Sequence, residues 1–242
     1  MSRAASLAAN LAAVCDRVAR AEARAGRAAG SVKLVAVSKK MPAADVVAML
    51  AAGQTAFGEN YAQELRDKRL DVESLRLAAA VTASPAWHFI GPLQTNKAKY
   101  VAGLAACLHS LDTSDLLDEV NRRVPEGQVQ SCLVQVNVAH EPQKRGVLPE
   151  ALPGLLAHFA HCPRLRCDGF MLIPPASDDA ETARPHFRAL RTLLEREASV
   201  PRPGVQLREL SMGMSHDLDV AIEEGATFVR VGTALFGPRT SI

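Results

Sequence analysis

Lysine is scarce in this chain: only Lys33, Lys39, Lys40, Lys68, Lys97, Lys99 and Lys144 occur among its 28 basic residues, the rest being arginine. Each lysine at a strand end is therefore the more informative. Excess charge is also lacking. The formal net charge of +2 over 242 residues offers no basic surface for nucleic acid. The five cysteines are odd in number and form no C-x-x-C pair, and most sit inside apolar runs. They read as reduced core thiols of a cytoplasmic protein. No apolar run approaches the roughly 18 residues that a membrane span needs. The first thirty residues are rich in alanine and arginine, as transit peptides are. However, Asp16 and Glu22 are acidic, and Leu7, Leu11, Val14, Val18 and Ala21 recur at helical spacing. The pattern predicts an amphipathic helix near residues 3–28.

With 48% hydrophobic residues, the chain can bury a full core. Strand-like runs fall at Lys33–Ser38, Thr55–Gly58, Trp87–Ile90, Ala106–Leu111, Cys132–Val138, Cys167–Ile173, Glu209–Met212 and Thr227–Val231. Helical patterns alternate with them at Ala43–Ala52, Tyr61–Arg69, Thr95–Leu104, Ser114–Arg123, Pro149–His161, Asp179–Glu197 and Asp217–Glu224. This α/β order predicts a single TIM-type (β/α)8 barrel spanning 1–242. Little chain follows the eighth strand, so the N-terminal helix within residues 1–30 is expected to complete the outer ring. A doubly wound open sheet is the alternative, because element order alone does not establish closure. The segments Ala78–Pro85 and Ser199–Val205 read as loops inside this one domain.

Polar residues out of keeping with a core follow the strands: Glu59 and Asn60, His88, Asn137, Gly213-Met214-Ser215, and Arg230 with Gly232-Thr233. In a barrel these positions share the face that carries function. Alternation places Lys33, Val35, Val37 and Lys39 on one side of the first strand. With that side inward, Lys39 caps the core at the functional end. A neutral amine there can attack an aldehyde to give a Schiff base, once its surroundings lower its pKa from about 10.4. Arg230 shares an inward face with Phe228 and Gly232. A buried guanidinium needs an acceptor, either a carboxylate such as Glu59 or a ligand ring nitrogen or oxyanion. Gly213-Met214-Ser215 precedes a helix, with Ser215 as its expected N-cap, and Gly232-Thr233 offers a second close backbone approach. Both loops can receive an anion, and barrels commonly hold phosphate after strands seven and eight. Lysine, inward arginine and a phosphate cup together point to pyridoxal 5′-phosphate. His88, between Trp87 and Phe89, reads as a hydrogen-bonded core histidine rather than an acid–base residue.

Longer segments carry a resemblance. They are Val35-Ala36-Val37-Ser38-Lys39, Phe57-Gly58-Glu59-Asn60-Tyr61-Ala62-Gln63-Glu64, and Trp87 through Lys97. Gln135-Val136-Asn137, Gly169-Phe170-Met171, Leu210 through Ser215 and Val229 through Gly237 complete the set. Together they span residues 33–237, and on them the chain resembles the pyridoxal phosphate homeostasis protein family, which shares a barrel with the N-terminal domain of alanine racemases. The resemblance implies that Lys39 joins the cofactor, Arg230 faces its pyridine nitrogen, Ser215, Gly232 and Thr233 hold its phosphate, and Asn60 lines the pocket. It implies that Lys144 matches a loop lysine that takes up or hands over cofactor. Where Arg145 stands, family members usually carry Ser or Gly. His216 varies and receives no role.

An arginine at the ring nitrogen keeps that nitrogen unprotonated, because adjacent cations disfavour each other. The expected function is therefore binding and delivery of pyridoxal phosphate, not strong catalysis. Apo-enzymes that use the cofactor are the expected recipients. No metal, nucleic acid or membrane is expected, and the near-balanced surface suggests a monomer. Two alternatives remain from the sequence: a pyridoxal-phosphate-dependent amino-acid racemase, and a class I aldolase-type barrel in which Lys39 would condense with a sugar phosphate.

Overall fold

A computed structural model describes residues 1–237; the last five residues of the expected domain span, 238–242, lie outside the described residues. The eight apolar runs form strands: β1 (Lys33–Val37), β2 (Ala56–Glu59), β3 (Ala86–Phe89), β4 (Cys107–Leu111), β5 (Gln130–Gln135), β6 (Leu165–Met171), β7 (Val205–Ser211) and β8 (Phe228–Val231). They run parallel in chain order and close into a barrel, β8 pairing back onto β1 with Val35 opposite Arg230. Closure excludes the open sheet.

The helices are α1 (Arg3–Arg24), α2 (Ala43–Ala51), α3 (Ala62–Ala78), α4 (Ser114–Arg123), α5 (Leu152–His158), α6 (Arg184–Ala198), α7 (Leu218–Glu223) and α8 (Thr233–Phe236). Two expectations are corrected. The helix predicted after the third strand is a short 3-10 segment, Thr95–Tyr100. Gly103, left-handed at φ +73° and pressed on Pro125, ends the segment before regular α turns develop. Strand β7 begins at Val205, inside the stretch read as a loop, because the neighbouring Pro201, Pro203 and Gly204 mask the alternation of Val205 and Leu207 with polar residues.

The first helix does fill the gap in the ring. Leu7, Leu11, Val14, Val18 and Ala21 are buried along one stripe, and α1 packs against α2, α7 and α8. Burial of each Leu or Val in such a stripe contributes about 1.5–3 kcal/mol. Ser2 caps its start by accepting from the Ala5 amide, and its end is tied to β1 through Glu22, which accepts from the Val32 amide at 2.7 Å. Among the described residues no helix is long and apolar enough to cross a membrane.

Two cores result. The larger lies between strands and helices and includes Ala36, Phe57, Trp87, Leu108, Val134, Phe170 and Val229. A smaller cluster of Cys107, Leu133 and Met171 fills the barrel's inside. Ladder register shifts at Asp168, which is skipped in the pairing with both β5 and β7. Gly169 beside it lies so close to β7 that a Cβ would stand 1.8 Å from the Glu209 carbonyl oxygen.

That contact gives a paired test of packing. Gly169→Ala should destabilise the barrel by more than about 3 kcal/mol in urea unfolding, since backbone must move. Gly154→Ala, on α5 with nothing within 4 Å of a new Cβ, should instead stabilise by about 0.5–1 kcal/mol. Equal effects at the two positions would contradict the register described.

Candidate functional site

At the carboxyl end of β1 the chain is held on both sides of Lys39. Ser38 is fully buried, and its hydroxyl donates to Glu59 Oε1 at 2.7 Å. The Lys68 ammonium donates to the Ser38 carbonyl at 2.7 Å, to Glu59 Oε1 at 2.8 Å and to Glu64 Oε1 at 2.7 Å. Glu64 also receives the Lys40 amide at 2.6 Å, and Lys40 turns through the left-handed region at φ +61°. A non-glycine residue there is uncommon and persists where its surroundings over-determine it. Burial raises the Glu59 carboxyl above its ordinary range, while Lys68 draws it down. Lys39 itself is half-buried. Next to this cluster, Asn60 Oδ1 and Glu59 Oε2 are buried without a protein partner among the described residues.

Arg230 points into the barrel, 4% exposed, as alternation required. Its expected carboxylate partner is corrected: Glu59 belongs to Lys68, and Arg230 donates to Ser211 Oγ at 2.7 Å and to the Leu172 carbonyl at 2.9 Å. Both acceptors are neutral, and burial lowers its pKa to about 10, so it stays charged at neutral pH. From Ser211 a polar line descends the barrel. His109 Nδ1 lies 2.8 Å from Ser211 Oγ, and His88 Nδ1 lies 2.9 Å from His109 Nε2. Because Ser211 accepts from Arg230, its own proton is directed to His109 Nδ1. His109 then donates from Nε2 to His88. Burial holds His88 down to about 4 and His109 well below its ordinary value, so both rings are neutral. His88 is thus the hydrogen-bonded core histidine expected from its neighbours.

The two loops expected to receive an anion are both at this end, with one correction. Ser215 is not an N-cap; Asp217 occupies that position of α7, and its carboxylate accepts from the Met214 amide at 2.6 Å. Ser215 is half-buried in the preceding turn. Gly213 turns at φ +90°, with its α-carbon against Ala221. Gly232 precedes α8, whose own bonds begin at the Leu235 amide, so the Thr233 and Ala234 amides open the helix as donors. A Cβ on Gly232 would make only ordinary 3.5 Å contact with Val37. Folding therefore does not demand this glycine, and the space it leaves faces the mouth.

Helix α1 fastens both loops from outside, which the sequence reading missed. Arg17 donates to the Ser215 carbonyl at 2.7 Å and to Asp219 at 2.6 Å. Arg3 reaches the Phe236 carbonyl at 3.0 Å and Asn10 the Leu235 carbonyl at 2.8 Å. Lys68 was missed too, although its place between Leu65 and Val72 puts a lysine in the buried stripe of α3.

Lys144 lies on the loop after β5, donating to the Pro174 carbonyl at 2.8 Å and pairing with Glu141 at 2.5 Å. It lines a cavity of about 330 Å³ with Pro174, Ser177, Met214, His216 and Asp217. This cavity adjoins the cup loop, and Lys39 and Arg230 are not among its walls. Arg145 forms a two-pronged pair with buried Asp112 at 2.9 and 3.0 Å, securing this loop to the end of β4. A larger cavity, about 590 Å³, opens at the opposite end around Lys33, His88 and Cys107. Size would favour it, but the amine, the arginine and the anion donors all gather at the carboxyl end.

The buried Glu59–Lys68 pair can be tested directly. Lys68→Met should cost about 3–5 kcal/mol in urea unfolding by stranding a buried carboxylate, and adding Glu59→Gln should recover much of it. Strictly additive losses would show that the two side chains are not coupled.

Residues 9–240 match the family model for the alanine racemase N-terminal domain. The pyridoxal phosphate homeostasis protein of Aquifex aeolicus is 43% identical over 230 residues, covering 93% of this chain and 95% of the relative. A crystal structure of an unknown protein from Bifidobacterium adolescentis superposes with a TM-score of 0.89 at 33% identity, covering 97% of this chain and 96% of that one. The PipY protein of Synechococcus elongatus, solved with PLP bound, superposes with a TM-score of 0.80 at 33% identity, covering 96% of this chain and all of that one (100%).

Proposed function

The chain belongs to the pyridoxal phosphate homeostasis protein family, and we propose that it binds pyridoxal 5′-phosphate through Lys39 and serves to hold and deliver it. The observation that carries this reading is Lys39, its chain held on both sides at the rim of β1, at the same end of the barrel as a buried arginine and two loops whose backbone amides could receive an anion. The PLP-bound state of the Synechococcus relative supports the choice of ligand.

The residues present fit that ligand. Asn60 Oδ1, buried and unpartnered, offers an acceptor to the pocket. Gly232 leaves room in front of the Thr233 and Ala234 amides, which with Ser215 would receive the phosphate. Arg230 carries five N–H donors, two of them committed to Ser211 and Leu172, and would face the pyridine nitrogen. When bound, the cofactor supplies an aldehyde carbon that an unprotonated lysine amine can attack. Everything else falls to the protein: the Ser38–Glu59–Lys68 cluster orients Lys39, Arg17 and Arg3 fix the cup loops, and Lys144 takes up or passes on the ligand.

Binding without strong catalysis follows from Arg230. A permanent cation beside the ring nitrogen opposes protonation there, and electron withdrawal from a substrate carbon depends on that proton. The family's name, homeostasis rather than an activity, agrees with this. On the same reading the protein is a cytoplasmic monomer of one domain whose recipients are apo-enzymes that use the cofactor.

Purified protein given excess pyridoxal phosphate should turn yellow, and borohydride reduction with peptide mapping should place the pyridoxyl group on Lys39. Lys39→Ala should abolish the visible band. A colourless protein, or a label on another lysine only, overturns the assignment. Exchange of the α-hydrogen of L-amino acids with deuterated water should stay at background; exchange that depends on Lys39 would establish an enzyme.

The clamp from α1 gives a second expectation. Arg17→Met should raise the dissociation constant about 5- to 30-fold, the equivalent of one or two hydrogen bonds, while leaving the position of the visible band unchanged. An unaltered constant would remove α1 from the account of binding.

A further inference from the structure

We propose that the opposite end of the barrel carries a separate cation site, in which His88, Cys107 and His109 hold a borderline-soft divalent metal of the zinc class. One ligand atom from each residue lies within 4.8 Å of the other two, and all three residues are buried. The backbone fixes the arrangement. Cys107 and His109 are two apart on β4 and so share its inward face, while His88 pairs in register with Cys107 from β3. Donors on adjacent strands of a closed barrel are held more rigidly than donors on loops.

The surroundings meet the other requirements of a metal site. Ser211 Oγ lies 2.8 Å from the outer nitrogen of His109, where it can accept the N–H of a metal-bound imidazole once its own proton turns away. The 590 Å³ cavity is walled by both His88 and Cys107, which provides an entry path and room for a fourth, exogenous ligand. Its wall carries Asp168 and Glu209, whose negative charge adds to burial in raising the Cys107 thiol, so the metal itself must draw off that proton; Arg166 and Lys33 pair with the two carboxylates at 2.5 and 2.9 Å. Two imidazoles and one thiolate suit zinc or cobalt, and not a hard cation such as magnesium.

Binding displaces protons in a defined way. In the metal-free barrel, His88 Nδ1 and His109 Nε2 share one proton across 2.9 Å. A tetrahedral metal with bonds of about 2.0–2.1 Å would part them to about 3.3 Å. The His109 proton moves to Nδ1 and is donated to Ser211, whose hydroxyl turns away. The Cys107 S–H bond breaks as the S–metal bond forms, and that single proton leaves through the cavity. No electron is transferred.

The test uses the full chain, stripped with chelator, kept reduced and titrated with Co²⁺. The expected result is one equivalent bound with tetrahedral d–d bands and a thiolate-to-cobalt charge-transfer band, all displaced by Zn²⁺. Cys107→Ser should remove the charge-transfer band and weaken Zn²⁺ binding at least tenfold. Cys162→Ser should change neither, which sets aside the second cluster of Asp118, His158 and Cys162. X-ray absorption at the zinc edge of the wild-type protein needs no variant and should show one sulfur and two imidazoles. Absence of cobalt bands in the folded wild type overturns the proposal. So do bands that survive Cys107→Ser and vanish in Cys162→Ser, or a zinc shell without sulfur.

Discussion

A guanidinium enclosed by eight strands constrains much of the rest of this barrel. Among the described residues Arg230 pairs with no carboxylate; a hydroxyl and a carbonyl receive it instead. An ion so buried costs several kcal/mol unless its hydrogen bonds are met, so Ser211 and the Leu172 carbonyl must be where they are. Ser211 is then an acceptor upward and a donor downward, which makes His109 and His88 a neutral, polarised pair. A second charge on that line would stand close to the first. The mouth and floor of the barrel are consequently linked through one serine hydroxyl.

The second organising element works from outside. In a barrel of this kind the loops after strands seven and eight would ordinarily rest on the helices that follow them. Here those helices are short, α7 with six residues and α8 with four. The first helix takes over, its apolar stripe closing the ring while Arg3 and Asn10 bind two carbonyl groups of α8 and Arg17 binds two of the turn before α7. Packing and loop attachment are thus performed by adjoining stripes of one helix, Arg3, Asn10 and Arg17 recurring every seven residues beside Leu7, Val14 and Ala21.

Much of this was legible in the sequence because parallel strands buried on both faces read as plain apolar runs. Glycine and polar residues after each run marked the functional end, and Lys39, Asn60, Arg230, Gly232 and Thr233 fall there. What failed to show were contacts between remote parts of the chain. The partners of Arg230 come from β7 and the end of β6, so local pattern favoured nearby Glu59. Ser215 looked like a cap because serine commonly is one, whereas Asp217 claims the Met214 amide. The skipped residue Asp168 leaves no trace in alternation. Lys68 was readable after all, since a lysine within an apolar stripe has to find a buried partner.

The bond from Arg3 to the Phe236 carbonyl joins positions 233 residues apart, and the seam between β1 and β8 spans almost as much. A ribosome therefore releases every strand but one before any of the mouth can close. Until β8 emerges, a growing polypeptide has Lys39 but neither Arg230 nor the loop behind it. Any ligand that needs both Lys39 and Arg230 would thus find them together only once β8 has joined β1.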